Sequence, residues 1–159
     1  MRFGPFTTTR NRRLRPDAYS EPGRPCFLTI RAYQNQSPFV DRKLNQAIVD
    51  VLLNERQHSQ CSIQAYCLMP DHLHLLTTPS VTEASVLAFA DRFKGLSTRE
   101  SWRFGWRGKL WQPRSYDHVL RRNEDVEKVC EYILANPVRR GLVENPDEFP
   151  WSALVDPIL

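Results

Sequence analysis

Leu44, Ala47, Ile48, Val51 and Leu52 fall at i, i+3, i+4, i+7 and i+8. That spacing marks one helical face and predicts an amphipathic helix over residues 41–58. Elsewhere the period drops to two. In residues 25–33, Leu28, Ile30 and Ala32 alternate with Phe27, Thr29, Arg31 and Tyr33, so the two sets take opposite faces of a strand. Residues 61–69 and 72–78 read as two further strands. Only Pro70-Asp71 separates them, which makes them an antiparallel hairpin. Ser80-x-x-Glu83 has the form of a capping box. It is expected to open a second helix with Val86, Phe89, Ala90, Phe93 and Leu96 as apolar positions, weakened by Gly95. A Gly/Trp/Pro-bearing loop over 103–115 leads to a fourth strand at 116–121. Asn123 is expected to cap a third helix, with Glu124 and Asp125 in its first turn. That helix ends at Asn136, because Pro137 disfavours helical geometry in the residue before it.

The order β-α-β-β-α-β-α predicts an α+β fold: a ferredoxin-like antiparallel sheet with helices packed on one face. The other face, or an edge, stays available to a ligand. A chain of 159 residues suffices for one domain with a substantial core. Residues 1–24 read as a basic arm, 25–145 as the domain and 146–159 as a tail. No run of eighteen apolar residues suggests a membrane span, and the N-terminus lacks the apolar stretch of a secretory signal. Cys26, Cys61, Cys67 and Cys130 form no Cys-x-x-Cys pair and are expected as reduced thiols of a cytoplasmic protein.

The net charge of +4 is unevenly spread. Arg10, Arg12, Arg13 and Arg15 crowd the arm. Arg92, Lys94, Arg99, Arg103, Arg107, Lys109, Arg114, Arg121 and Arg122 form a second basic region, and Arg139-Arg140 a third. Phe93, Trp102, Phe104, Trp106, Trp111 and Tyr116 are interleaved with the second. Arginine with exposed aromatics is the composition of a single-stranded nucleic-acid surface. A solvated basic face over core aromatics has the same composition.

The hairpin carries the most specific chemistry. His72 and His74 alternate with Leu73 and Leu75, so both imidazoles project from one strand face, about 6 to 7 Å apart by strand rise. Such a pair can share one divalent metal, or can be two satisfied core histidines. A zinc site with Cys67 has the right ligand types but no fourth ligand at recognisable spacing. In the third helix, Val126, Val129, Cys130, Ile133 and Leu134 form the core stripe. Tyr132 lies roughly 130° from its centre. Asn136 follows one turn later on the same flank, either as a partner of the phenol or as a plain helix terminator.

Three segments together resemble the REP-associated tyrosine transposases, members of the single-tyrosine HUH transposases. They are Tyr66–Leu76, the run Trp111-Gln112-Pro113-Arg114-Ser115-Tyr116-Asp117-His118, and the run from Tyr132 through Asn136-Pro137 to Val143. The resemblance spans about residues 25 to 154 and implies an HUH endonuclease fold. It implies that Tyr132 is the nucleophile and that His72, His74 and Asn136 hold a divalent metal, Mg2+ or Mn2+. Asparagine at position 136, where insertion-sequence relatives often carry glutamine, favours the REP-associated branch. The implied substrate is single-stranded DNA containing a REP hairpin, cleaved through a 5′-phosphotyrosine. The basic regions and Trp111 are then expected to hold that DNA, with Arg12, Arg13 and Arg15 along the hairpin or its flank. His118 either orients the site or makes a structural hydrogen bond. A monomer is expected, with a dimer as the alternative, in a cytoplasmic, nucleoid-associated setting.

Rival readings are weaker. A histidine-triad hydrolase needs a third alternating histidine, and position 76 is Leu76. A zinc hydrolase lacks a general base near the pair. A non-catalytic single-stranded nucleic-acid-binding module on the same fold is disfavoured by the intact Tyr132 and the histidine pair.

Overall fold

The structure is a computed structural model that describes residues 13–158. Its strands are β1 (Cys26–Arg31), β2 (Cys61–Met69), β3 (His72–Pro79), β4 (Tyr116–Val119) and β5 (Ser152–Leu154). Its helices are α1 (Arg42–His58), α2 (Val86–Trp102), α3 (Val126–Leu134) and the single turn α4 (Asn136–Arg139). One antiparallel sheet has the order β4-β1-β3-β2-β5. The α+β antiparallel class is as expected.

The helices divide between the two faces of the sheet. Leu44, Ile48 and Leu52 of α1 and Val86, Phe89 and Phe93 of α2 pack with Leu28, Ile30, Leu68, Leu73 and Leu75. The alternate strand positions, Phe27, Ala65, Cys67, Met69 and Leu76, form a second, smaller core with Val129, Cys130 and Ile133 of α3. Helix periodicity shows which side of α3 is apolar but not which sheet face receives it. The expectation of all helices on one face therefore does not extend to α3.

Several boundaries also shift. The cap of α2 is Ser85, which accepts from Ala88 N at 3.3 Å. Ser80 instead directly follows β3, its N–H donating to Gln60 O. Asp125, not Asn123, caps α3 and accepts from Glu127 N at 2.9 Å. α3 ends at Leu134, and Asn136-Pro137 begins α4, where proline's missing N–H costs nothing at the first turn. Part of the expected tail is β5, which pairs with β2 through Ala65, Tyr66 and Cys67. The arm is anchored within its described part: Tyr19 is buried and donates to Asp117 Oδ1 at 2.6 Å, and Arg13 pairs with the same carboxylate at 3.5 Å. Among the described residues no helix is long and apolar enough to cross a membrane.

Candidate active site

Strand register gathers the site on the face covered by α3. In antiparallel pairs, directly opposed residues share a face. Thr29 opposes His74 and Arg31 opposes His72, while Cys67 and Met69 oppose them from the other side. His72 and His74 are each 1% exposed, so the pair is built into the sheet rather than displayed to bulk water. Their Nε2 atoms lie 3.1 Å apart.

Each outer nitrogen has its own partner. His72 Nδ1 is 2.6 Å from Asp71 Oδ1, and His74 Nδ1 is 2.8 Å from Thr29 Oγ1. A carboxylate can only accept, so His72 Nδ1 carries the proton and Nε2 turns inward. The hydrogen bond from His72 holds the Asp71 carboxyl below its usual range, and Arg140, 3.7 Å from Asp71 Oδ2, acts in the same direction. Burial first, and then the charges of His72 and of Arg139, Arg31 and Arg140, push His74 well below the ordinary histidine pKa. His74 is therefore neutral at neutral pH, the form that ligates metal.

α3 brings Tyr132 over this pair. Its ring centroid is 6.2 Å from that of His74 and 6.1 Å from that of Phe27. Arg139, from the next helical turn, covers the ring with its guanidinium carbon 4.1 Å from the centroid and donates to Tyr132 O at 3.0 Å. Burial raises the phenol pKa, Arg139 lowers it and Tyr116 raises it, for a net upward shift. Asn136 is buried, and its side-chain nitrogen has no hydrogen-bond partner among the described residues. A half-turn of the amide would put its oxygen in that place. The turn bearing Asn136 packs on β2, on the strand that flanks the histidines.

These donors fit a divalent ion. Adjacent ligands of an octahedral ion at about 2.1 Å stand about 3 Å apart, and the two Nε2 atoms are at 3.1 Å. Among the described residues no group of three His, Cys, Asp or Glu side chains could hold a metal. The buried Asn136 amide is a neutral oxygen donor on the turn that packs against β2. Cys67 faces the same side, and burial pushes its thiol up to about 12.

The other expected residues are dispersed. Trp111 is not an exposed stacking surface: it is buried, stacked on Phe39 at 4.8 Å, and donates to Ser97 Oγ at 2.8 Å. Arg92 pairs with the buried Glu55 of α1, Arg103 with Glu100, and Arg15 with Asp17. Lys94 donates to Pro113 O. Arg99, Arg107, Arg114, Arg121 and Arg122 are exposed, and Arg12 lies outside the described residues. His118 closes the β4–α3 connection through Glu124, at 2.9 Å. Sequence reasoning missed Thr29, Asp71 and Arg31 as members of the site. The alternation of β1 already placed Thr29 and Arg31 on one face, but only the register with β3 shows that it is the histidine face.

The fold thus places a buried His-x-His of a five-stranded antiparallel sheet beneath a helix-borne tyrosine. The chain belongs to the IS200-like transposase family, described as Transposase IS200 like, whose match covers residues 28–136. It is 23% identical over 134 residues to the REP-associated tyrosine transposase of Escherichia coli (strain K12), covering 84% of this chain and 78% of that one. The structure of a REP-associated tyrosine transposase bound to a REP hairpin matches with a TM-score of 0.74 at 22% identity, over 91% of this chain and 82% of the other. The REP-associated resemblance of the motifs therefore stands in fold as well as in sequence.

Proposed function

We propose that this chain is a single-stranded DNA endonuclease and transposase that acts on REP-type hairpins through a 5′-phosphotyrosine. The observation that carries the reading is the placement of the Tyr132 ring 6.2 Å from that of His74, above two inward-facing Nε2 atoms. Tyr132 Oη attacks the scissile phosphorus and the bond from phosphorus to the 3′ oxygen breaks. The phenol gives up its proton and the departing 3′ oxygen gains one, so charge balances. The phosphotyrosine keeps the energy of the phosphodiester, and a 3′-hydroxyl can later reverse the step without ATP. His72, His74 and Asn136 would hold a divalent ion, Mg2+ or Mn2+, which would supply charge neutralisation at the phosphate.

The surrounding residues serve this chemistry by position. Asp71 and Thr29 hold the two rings. Arg139 packs over the tyrosine ring and opposes the upward drift of its pKa. Arg31 and Arg140 add positive charge where a phosphate would enter.

The test is incubation with single-stranded REP-hairpin DNA and manganese, read as a covalent shift on a denaturing gel. Wild type forms the adduct and Tyr132→Phe binds but does not. Unchanged cleavage by the Phe variant rejects the assignment, and absence of any wild-type adduct favours a non-catalytic binding module. Hairpin DNA with an unpaired flank should also compete better than duplex of the same sequence at near-physiological salt.

A further inference from the structure

A groove of about 410 Å³ runs along the outer side of α2, against the segment that follows it. Lys94, Arg99 and Lys109 line it with Trp102, and no carboxylate does. Trp102 is 51% exposed, yet its ring is fixed in direction, because Nε1 donates to Gly108 O at 2.9 Å. Lys94 is half-buried and donates to a neutral carbonyl, Pro113 O, at 2.9 Å. Burial lowers its pKa, with Asp91 offsetting part of the effect. A partly desolvated ammonium whose hydrogen bond goes to a neutral oxygen gains most from an incoming anion. Gly95 lies between Lys94 and Arg99 on the groove wall, and a Cβ there would meet nothing within 4 Å. Glycine is disfavoured in a helix interior relative to alanine, and here it leaves the groove open.

The groove lies on α2, which packs on the sheet face opposite the histidines, and one backbone hydrogen bond ties its lining to β1. Gln112, on its lining, donates its backbone N–H to Arg31 O at 2.8 Å, at the end of β1. Arg31 is the register partner of His72.

We propose that this groove is a nucleotide subsite, in which an unpaired base stacks on Trp102 while Lys94, Arg99 and Lys109 hold the adjoining phosphates. The proposal rests on the reading of the chain as a single-stranded DNA enzyme and names where a strand outside the cleavage site is gripped. Each component has a general counterpart: an aromatic face for a base, and cations without competing carboxylates for the backbone.

The experiment uses the full chain and two probes of equal length, (dT)10 and a fully abasic phosphodiester strand, followed by fluorescence anisotropy at several salt concentrations. Trp102→Ala is expected to weaken (dT)10 binding about tenfold and to leave abasic binding nearly unchanged, with Trp102→Phe recovering most of the loss. Lys94→Met should weaken both probes and lower the salt dependence. Gly95→Phe, which projects into open space, should block (dT)10 with an unchanged melting temperature. Unaltered (dT)10 affinity in both Trp102→Ala and Gly95→Phe overturns the proposal. So does competition by polyglutamate as strong as that by (dT)10, which would make the groove a site for acidic protein. Failure of the catalytic reading looks different: wild type would form no adduct, while the groove variants would still lose oligonucleotide affinity.

Discussion

Thr29 Oγ1 stands 2.8 Å from His74 Nδ1, inside the sheet, with both residues buried. For His74 to turn an Nε2 lone pair inward, Nδ1 must carry the ring proton and needs an acceptor. Thr29→Val keeps the shape and removes the acceptor. It is expected to weaken Mn2+ binding about tenfold or more, measured by electron paramagnetic resonance titration in the absence of DNA. Thr29→Ser should restore it. Equal affinity in the Val variant would show that the hydroxyl only fills space.

Acid should destabilise the fold through His74. Its folded pKa lies well below the ordinary value of 6.5, so below that value the unfolded chain binds a proton that the folded chain refuses. Stability is then present above pH 6.5 and falls with pH, by up to about 1.4 kcal/mol per unit until the folded pKa is reached. Urea melts of wild type and His74→Leu from pH 7.5 to 5 check this. The Leu variant should lose less stability on acidification.

Arg139 and Tyr132 form a second coupled pair. Removing the guanidinium by Arg139→Gln deletes an influence that lowers the phenol pKa, while burial and Tyr116 still raise it. The pH dependence of adduct formation should therefore move to higher pH, with a slower rate at neutrality. A profile superimposable on wild type would mean that Arg139 acts on the ring only as a cover.

Trp111 should behave as a core residue. It stacks on Phe39 and hydrogen-bonds the buried Ser97. Trp111→Ala is expected to cost about 3–5 kcal/mol in urea unfolding. A loss below about 0.5 kcal/mol, the range of ordinary surface changes, would return the ring to the surface.

The elements near the hairpin were readable from local pattern alone. Apolar periodicity located α1, and two residues between alternating runs could only be a tight turn. The face shared by His72 and His74 followed from strand geometry. What was not readable depends on contacts far apart in sequence. Ser80-x-x-Glu83 reads as a capping box, but the Ser80 N–H is bonded to Gln60 O just past β3, and Ser85 caps α2 instead. Trp102 and Trp111 look alike in composition, yet one is exposed and the other is clamped between α2 and Phe39. Ser152–Leu154 is too short, and too close to Pro150 and Pro157, to announce a strand before β2 offers an edge.

The nine residues of α3 are fewer than an isolated helix needs to persist in water. α3 therefore holds its shape only while Val129, Cys130 and Ile133 stay docked on Phe27, Cys67 and Leu76. The histidines sit on a central strand that is paired on both sides. The two halves of the site thus differ in their resistance to subglobal opening. On warming, amide exchange should reach the backbone around Tyr132 before that around His74. Heat inactivation would then begin as an undocking of Tyr132, with the imidazole pair still in register beneath it.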